Sequence, residues 1–495
     1  MARRDAKKEG MMLAVNGVML QYFEWYLPDN GTLWRQLGDE AESLAQMGFT
    51  AVWIPPCCKA TGSNDTGYGM YDGYDLGEFD QKGTVRTKYG TRQELREAIG
   101  VVQKWGLSVY ADVVLNHKAG ADETQRFLAV EVNPENRNEA LTEPYEIEGW
   151  TRFTFPGRGG RHSAFQWSWE HFNGTDYNAE NGKEGIYLIV GENKGWAEGV
   201  AVEFGNYDYL MFANIDYQHP DVREETFSWI SWFIRETGVD GIRLDAIKHI
   251  NDWFIRDLIG HVRETFGQEF YCVGEFWEPD RDTVHDYLEE VDGRTDLFDV
   301  ALHHRFREAS QQGEGFDLRT IFDGSLVQTA PEHAVTFVDN HDSQPGQDLG
   351  FPVEHWFRPL AYGLILLRAQ GYPCVFYGDL YGTQGEHPLD PSPDVLRTLL
   401  WARQEHCHGE QLDYFEDTNL VGWVRTGNRE HPEGCAVVLS NGGGGSLRMD
   451  VGEGHAGEVW SDRMPGRESR VTIGEGGVGD FMVPGGAIAL FVREG

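Results

Sequence analysis

Apolar residues recur along the chain at two periods. Short β-branched or aromatic runs read as eight strands: GVMLQYF (17–23), TAVWIP (50–55), LSVYADVVLNH (107–117), GIRLDA (241–246), FYCVGE (270–275), LFDVALH (297–303), AVTFVDN (334–340) and PCVFYG (373–378). Between most of them lie amphipathic helical segments such as TLWRQLGDEAESLAQMG, TRQELREAIGVVQKWG, REETFSWISWFIRETG and NDWFIRDLIGHVRETFG, each closing on a glycine where a helix C-cap wants one. Alternating strands and helices predict a parallel sheet with right-handed crossovers. Eight such units predict an α/β fold built on a closed (β/α)8 TIM barrel; the pattern alone also admits an open doubly wound sheet.

Two regions break the rhythm. Residues 117–218 are rich in Gly, Asn, Trp and Phe, too long for a loop, and read as an inserted β-rich domain B. From residue 409 the helices stop, and VVLSNGGGGSLRMDV, GEVWSD and AIALFVRE predict a C-terminal antiparallel β-sandwich over 409–495. The barrel then comprises residues 1–116 and 219–408. GGGG at 442–445 reads as a hairpin loop between two strands, because no P-loop lysine or following helix accompanies it.

A chain of 495 residues exceeds the size at which single cores stop growing, so two or three domains are expected. No window supplies about 20 apolar residues, and no membrane span is predicted. The start, MARRDAKKEGMMLAVNGVML, is basic and then apolar, but Asn16 and Gly17 interrupt it and no A-x-A-like site follows, so no signal peptide is expected. Six scattered cysteines without C-x-x-C spacing suit reduced, buried thiols, and with them a cytoplasmic protein, expected as a monomer. The net charge of -38 excludes nucleic acid as a natural partner, repels anionic membranes and points to a neutral ligand. No lysine follows Lys248. Self-repulsion of this size is best tolerated near 1 M salt, which suggests a halophilic source; an ordinary acidic cytosolic enzyme is the alternative.

The strand ends carry the chemistry. LSVYADVVLNH ends with Asp112, Asn116 and His117; GIRLDAIKH with Arg243, Asp245, Lys248 and His249; FYCVGEFW with Glu275 and Trp277; AVTFVDNHD with Asp339, Asn340, His341 and Asp342. One such end is explained by a salt bridge. Four on the same face of a barrel point to a site. Several carboxylates, a neutral ligand and no Ser or Cys nucleophile fit glycosidic bond cleavage, in which one carboxylic acid protonates the leaving oxygen and a carboxylate faces the oxocarbenium-like carbon. Arg243, two residues before Asp245 on one strand face, is expected to hold Asp245 ionised as nucleophile. Glu275, near other carboxylates, is expected to stay protonated as acid, with Asp342 binding sugar hydroxyls and raising the pKa of Glu275.

DVVLNH, GIRLDAIKH, GEFW and FVDNHD, in this order and spacing, resemble the four signature regions of the α-amylase family, glycoside hydrolase family 13. QYFEWY, AVWIPP, GYGMYDGYDLGEF, GTVRTKYGT and GNYDYLMFANIDYQHPDV extend the resemblance over nearly the whole chain, toward the bacterial liquefying α-amylases and their cytoplasmic branch. The resemblance implies a barrel with domains B and C and retaining endo-hydrolysis of α-1,4-glucans. Asp245 then matches the nucleophile, Glu275 the acid/base and Asp342 the third carboxylate; Arg243, His117 and His341 hold the nucleophile or the sugar next to it, and Tyr68 stacks on that sugar. Lys248 and His249 resemble residues on the leaving-group side. Trp277 lines the same cleft or packs in the core.

The resemblance also implies one structural Ca²⁺ between barrel and insertion, held by Asn116, Asp208, Asn214 and the His249 carbonyl. Asn214 stands where extracellular liquefying enzymes carry aspartate, so a weakened site is expected. Their second metal cluster is expected to be absent, since its aspartates appear as Asn173, Ala197 and Gln218, leaving Asp216. Asn116 and Asp208 merely hydrogen-bonding across the junction is the alternative. Two other functions stay open: a transglycosylase using the same Asp and Glu, and a non-catalytic carbohydrate binder. Cys57 and Cys58 read as structural, and His285, His303, His304, His406 and His408 as having no role in the chemistry.

Overall fold

The computed structural model describes residues 16–347 and 349–494. The basic stretch over residues 1–15, expected not to be part of a signal peptide, lies outside them. Eight parallel strands close into a barrel in chain order: Met19–Gln21, Ala51–Ile54, Ser108–Val113, Gly241–Leu244, Tyr271–Gly274, Asp296–Phe298, Ala334–Phe337 and Tyr372–Phe376, the last pairing with the first. Each expected run holds one of them, and closure excludes the open sheet. Strands covered by helices outside and filled by side chains inside are buried on both faces, hence the near-continuous apolar runs.

Two boundaries differ from the sequence reading. LFDVALH gives only two strand residues, Leu297 and Phe298, because Asp299 accepts the Leu302 amide (3.1 Å) as an N-cap and the chain turns into the helix Val300–Gln312. Gly48, Gly238 and Gly267 cap their helices at positive φ (104°, 74° and 117°), whereas the helix Arg92–Lys104 is capped at Trp105 rather than at a glycine.

Between the third and fourth barrel strands the chain builds a seven-stranded antiparallel sheet. Its first strand, His117–Lys118, pairs with its last, Ala213–Ile215, which sets Asn214 opposite His117. The insertion therefore starts and ends beside the barrel rim.

The C-terminal part is a six-stranded sheet facing a two-stranded one. The central strand Cys435–Ser440 is buried on both faces: Ala436 and Val438 join a small core with Met449, Phe481 and Val483, while Val437 and Leu439 join the barrel's core. The GGGG stretch is not a hairpin. Cys435–Ser440 pairs with Leu420–Arg425 and Ala487–Arg493, whereas Gly444–Asp450 pairs with Val478–Pro484, so the glycines carry the chain from one sheet to the other. All six cysteines are buried free thiols.

Gly241 opens the strand that carries Arg243, and a Cβ there would lie 2.7 Å from the Tyr271 carbonyl oxygen and 2.9 Å from its Cβ. Gly241→Ala is expected to cost roughly 1–3 kcal/mol, as overpacking of a close-packed site does. A lowered urea midpoint checks this; an unchanged midpoint refutes it.

Candidate active site

The ends of three barrel strands meet around one guanidinium. Arg243, 1% exposed, donates through Nη1 to Asp112 (2.9 Å) and to Asp245 (2.6 Å), and its Nη2 lies 2.9 Å from Glu275 Oε2. Barrel register aligns the three strands: the Asp245 amide donates to the Val113 carbonyl (3.0 Å) and the Glu275 amide to the Leu244 carbonyl (2.9 Å). Immediately after Asp245, Ala246 takes the left-handed conformation (φ 49°), and its amide donates to Glu275 Oε2 (3.1 Å). A non-glycine residue held there stores strain of order 1–3 kcal/mol, and it fixes both carboxylates at once.

Asp112 is the residue that sequence reasoning left without a role. Its Oδ2 accepts from Trp53 Nε1 (3.1 Å) and the Tyr68 hydroxyl (2.9 Å), so it positions the tyrosine as well as the arginine. Tyr68 stacks on His341 (centroids 5.1 Å, 9° between planes) and on Trp25 (5.8 Å, 4°). His341 Nδ1 is 3.0 Å from Gln21 Nε2; its Nε2 lies 3.3 Å from Asp342 without the alignment of a hydrogen bond. His117 Nε2 is 2.8 Å from the Tyr68 carbonyl oxygen. Gln21, Trp25 and Trp53 also went unassigned. Trp53 sits in AVWIPP, where an apolar strand context hides an aromatic with a polar partner.

Burial dominates the protonation of this cluster. It pushes Asp245 above the ordinary carboxylate range, while the Arg243 charge and hydrogen bond pull it down. Glu275 is likewise raised by burial, and the neighbouring charge that raises it further is Asp245. Asp342, which lacks a contact to Arg243, is raised well above its usual value by burial and then by Glu275. Asp342 and Glu275 thus disfavour each other's ionisation. Asp112 is pushed up to about 7 by burial. Burial also lowers His117 to about 4 and His341 well below its usual range, leaving both neutral near pH 7.

Lys248 and His249 form a separate edge. The Lys248 ammonium donates to Glu203 (2.5 Å) and the Trp277 carbonyl (2.9 Å), and His249 Nδ1 is 2.6 Å from the Tyr207 carbonyl oxygen. The Trp277 ring packs toward His303 (5.9 Å) and Phe337 (6.2 Å), so of the two readings left open for it, core packing is the one its neighbours match.

Asn116, Asp208, Asn214 and the His249 carbonyl also converge. The Asn116 amide lies 3.4 Å from the Asp208 carbonyl oxygen and 3.3 Å from that of His249, and Asn214 Oδ1 is buried without a partner. The Asp208 carboxylate accepts from Asn173 (2.7 Å), the Ala197 amide (2.8 Å) and Asn214 (2.9 Å), and Lys194 pairs with Asp216 at 2.7 Å.

Acidic groups gathered around a buried arginine at the C-terminal rim of a closed (β/α)8 barrel, beside an aromatic platform, define a glycoside hydrolase. The chain belongs to the α-amylase family, glycoside hydrolase family 13: the model for the α-amylase catalytic domain matches residues 34–426. It is 50% identical over 481 residues to a glucan 1,4-alpha-maltohexaosidase of Bacillus sp. (strain 707), covering 97% of this chain and 93% of that one. It is 43% identical over 491 residues to the cytoplasmic alpha-amylase of Escherichia coli (strain K12), covering 97% and 99%. An Anoxybacillus alpha-amylase structure shares the fold at a TM-score of 0.64 and 18% identity, covering 97% of this chain and 98% of that one. Among the described residues no helix is long and apolar enough to cross a membrane.

The raised Asp245 carboxyl sets the sign of a pH test. The resemblance implies that Asp245 attacks, which needs the ionised form, so the acid limb of kcat/KM is expected above the ordinary aspartate range. Arg243→Lys, which cannot serve three carboxylates with one planar fork, lets their pKa values rise and is expected to move that limb up by about one unit. A pH–rate profile checks both; an acid limb that moves down in the variant refutes the assignment.

Proposed function

We propose that the protein is an endo-acting α-amylase that cleaves internal α-1,4-glucosidic bonds of starch, glycogen or maltodextrins with retention. The observation that carries this is the Arg243 fork joining Asp245 to Glu275. Two carboxylates on the two terminal nitrogens of one guanidinium favour the short carboxyl separation of double displacement, roughly 5 Å, over the roughly 6.5–9.5 Å that an inverting enzyme needs for its water. Asp245 attacks the anomeric carbon. Glu275, its pKa raised by burial and by the Asp245 charge, gives its proton to the leaving oxygen and then takes one from the incoming water. Asp342 and the neutral His117 and His341 bind hydroxyls of the sugar that Tyr68 carries, and Lys248 and His249 flank the leaving-group side. We place the barrel at 1–116 and 219–408, the insertion at 117–218 and the sandwich from 409. The scattered thiols and the 43% identity to a cytoplasmic enzyme support a cytoplasmic location. The charge of -38 supports a salt-adapted enzyme.

Asn116, Asp208, Asn214 and the His249 carbonyl fit Ca²⁺. Asparagine oxygen and nitrogen exchange by a half-turn of the amide, and with its oxygen toward the Asp208 and His249 carbonyls Asn116 completes a set of oxygen donors beside the unpartnered Asn214 oxygen. Bound calcium supplies a structural cross-link between barrel and insertion.

NMR of the anomeric protons during digestion of a maltooligosaccharide, at low and molar salt, is expected to show α-product first, abolished in Asp245→Asn. First-formed β-product removes Asp245 as nucleophile. Chelation with EDTA is expected to lower Tm, and Asn214→Asp, which adds a charge to the donor set, to tighten calcium about tenfold or more by calorimetry. A Tm indifferent to EDTA and calcium argues against the site.

A further inference from the structure

Two thiols meet where the barrel passes into the sandwich. Cys407 follows the helix Pro393–Glu405, its amide donating to the Ala402 carbonyl (2.9 Å), and Cys435 opens the central strand Cys435–Ser440. Their Sγ atoms lie 3.4 Å apart, and both side chains are wholly buried in the barrel's core. Cys272 and Cys374, in barrel strands, instead have backbone carbonyls as neighbours of their sulfurs, at 3.9 Å each.

Backbone bonds hold the two cysteines together. The Gly427 amide donates to the His408 carbonyl (2.9 Å) and the Thr426 amide to the Glu410 carbonyl (3.0 Å), while Arg425 pairs with Cys435 across the sheet. The crossing is tight enough that a Cβ on Gly409 would run into the Gly427 carbonyl. Asn16, just before the first barrel strand, donates to the Cys407 carbonyl (2.9 Å). The pair therefore sits at the barrel's N-terminal end, opposite the rim that carries Asp245, and bears on stability rather than on the chemistry.

A buried cation accompanies the thiols. Arg425 Nε and Nη1 have no partner among the described residues. Contact with Cys407 and burial push the Cys435 thiol up, so it keeps its proton at rest, and the Arg425 charge pulls against them. A guanidinium with idle N–H groups beside a thiol favours the thiolate through which S–S bonds form.

We propose that Cys407 and Cys435 form a reversible disulfide, closed by hydrogen peroxide and opened by small thiols. One sulfur, as its thiolate, takes an OH group from the peroxide, whose O–O bond breaks and releases hydroxide. The second sulfur displaces hydroxide from the resulting sulfenic acid and the S–S bond forms, for which the sulfurs approach by about 1.4 Å. Over both steps two thiols lose two protons and two electrons, and one peroxide becomes two waters. The bond closes a loop over residues 407–435 and staples the last barrel helix to the central strand of the sandwich, restricting the unfolded chain.

Peroxide treatment at the lowest urea concentration at which iodoacetamide labels Cys435 gives the oxidant access. Blocking of free thiols and digestion without reductant is expected to yield a linked Cys407–Cys435 peptide, lost on treatment with dithiothreitol. With urea removed, the oxidised protein is expected to melt about 2–5 °C above the reduced one. Cys407→Ala, compared oxidised against reduced so that its own stability cancels, is expected to show neither the peptide nor the gain. Absence of the linked peptide under these conditions refutes the disulfide, as does oxidation of Cys435 that ends in sulfinic acid. A linked peptide with an unchanged Tm refutes the staple.

Discussion

One buried cation ties the barrel's working end together. Arg243 reaches Asp112 on the third strand, Asp245 at the end of its own and Glu275 after the fifth. Counting Asp342, four carboxylic acids surround a single positive charge in a setting where an isolated ion costs several kcal/mol, so they cannot all ionise together. Arg243 pulls down the carboxyls it touches, while burial pushes all of them up and the Asp245 charge pushes Glu275 further; Asp342, which Arg243 does not touch, is raised well above its usual value. The ion pairs that hold the strand ends in register are therefore the same ones that divide the protons. Removing one partner of such a network leaves an uncompensated buried charge, which costs about 3–5 kcal/mol, so stability and chemistry fail together.

A second polar cluster, at the junction of barrel and insertion, handles charge differently. Asp208 is met by two asparagine amides and a backbone N–H, and Asp216 by Lys194. Amide dipoles satisfy a carboxylate at lower net charge than a ring of aspartates does. The junction thus carries less negative charge than a ring of aspartates would, and the side-chain oxygen of Asn214 is buried there without a partner.

Much of this was legible in the sequence because barrel strands are buried on both faces and read as apolar runs, so a charged residue at the end of such a run stands out. Asp245, Glu275 and Asp342 each follow one. What lay beyond reach was the pairing between runs. Asp112 stands in LSVYADVVLNH with nothing to say that it faces an arginine 131 residues later. At Asp245 the sequence shows the nearest cation but not the burial that pushes the carboxyl up against that cation's pull. The GGGG stretch misled through locality: two strands flanking a glycine run look like a hairpin, and only the cross-sheet partners reveal a change of sheet. Trp277 shows the converse, a residue at a strand end whose ring turns toward core neighbours while its carbonyl serves Lys248.

The central sheet of the C-terminal sandwich serves two hydrophobic interiors at once, with alternate residues of Cys435–Ser440 assigned to each. A sheet used in this way is a party wall. Neither side can be taken down without leaving the other open to water, so the barrel and the sandwich, though distinct in architecture, form a single cooperative unit, and the evolutionary freedom to trade this module for another is correspondingly small.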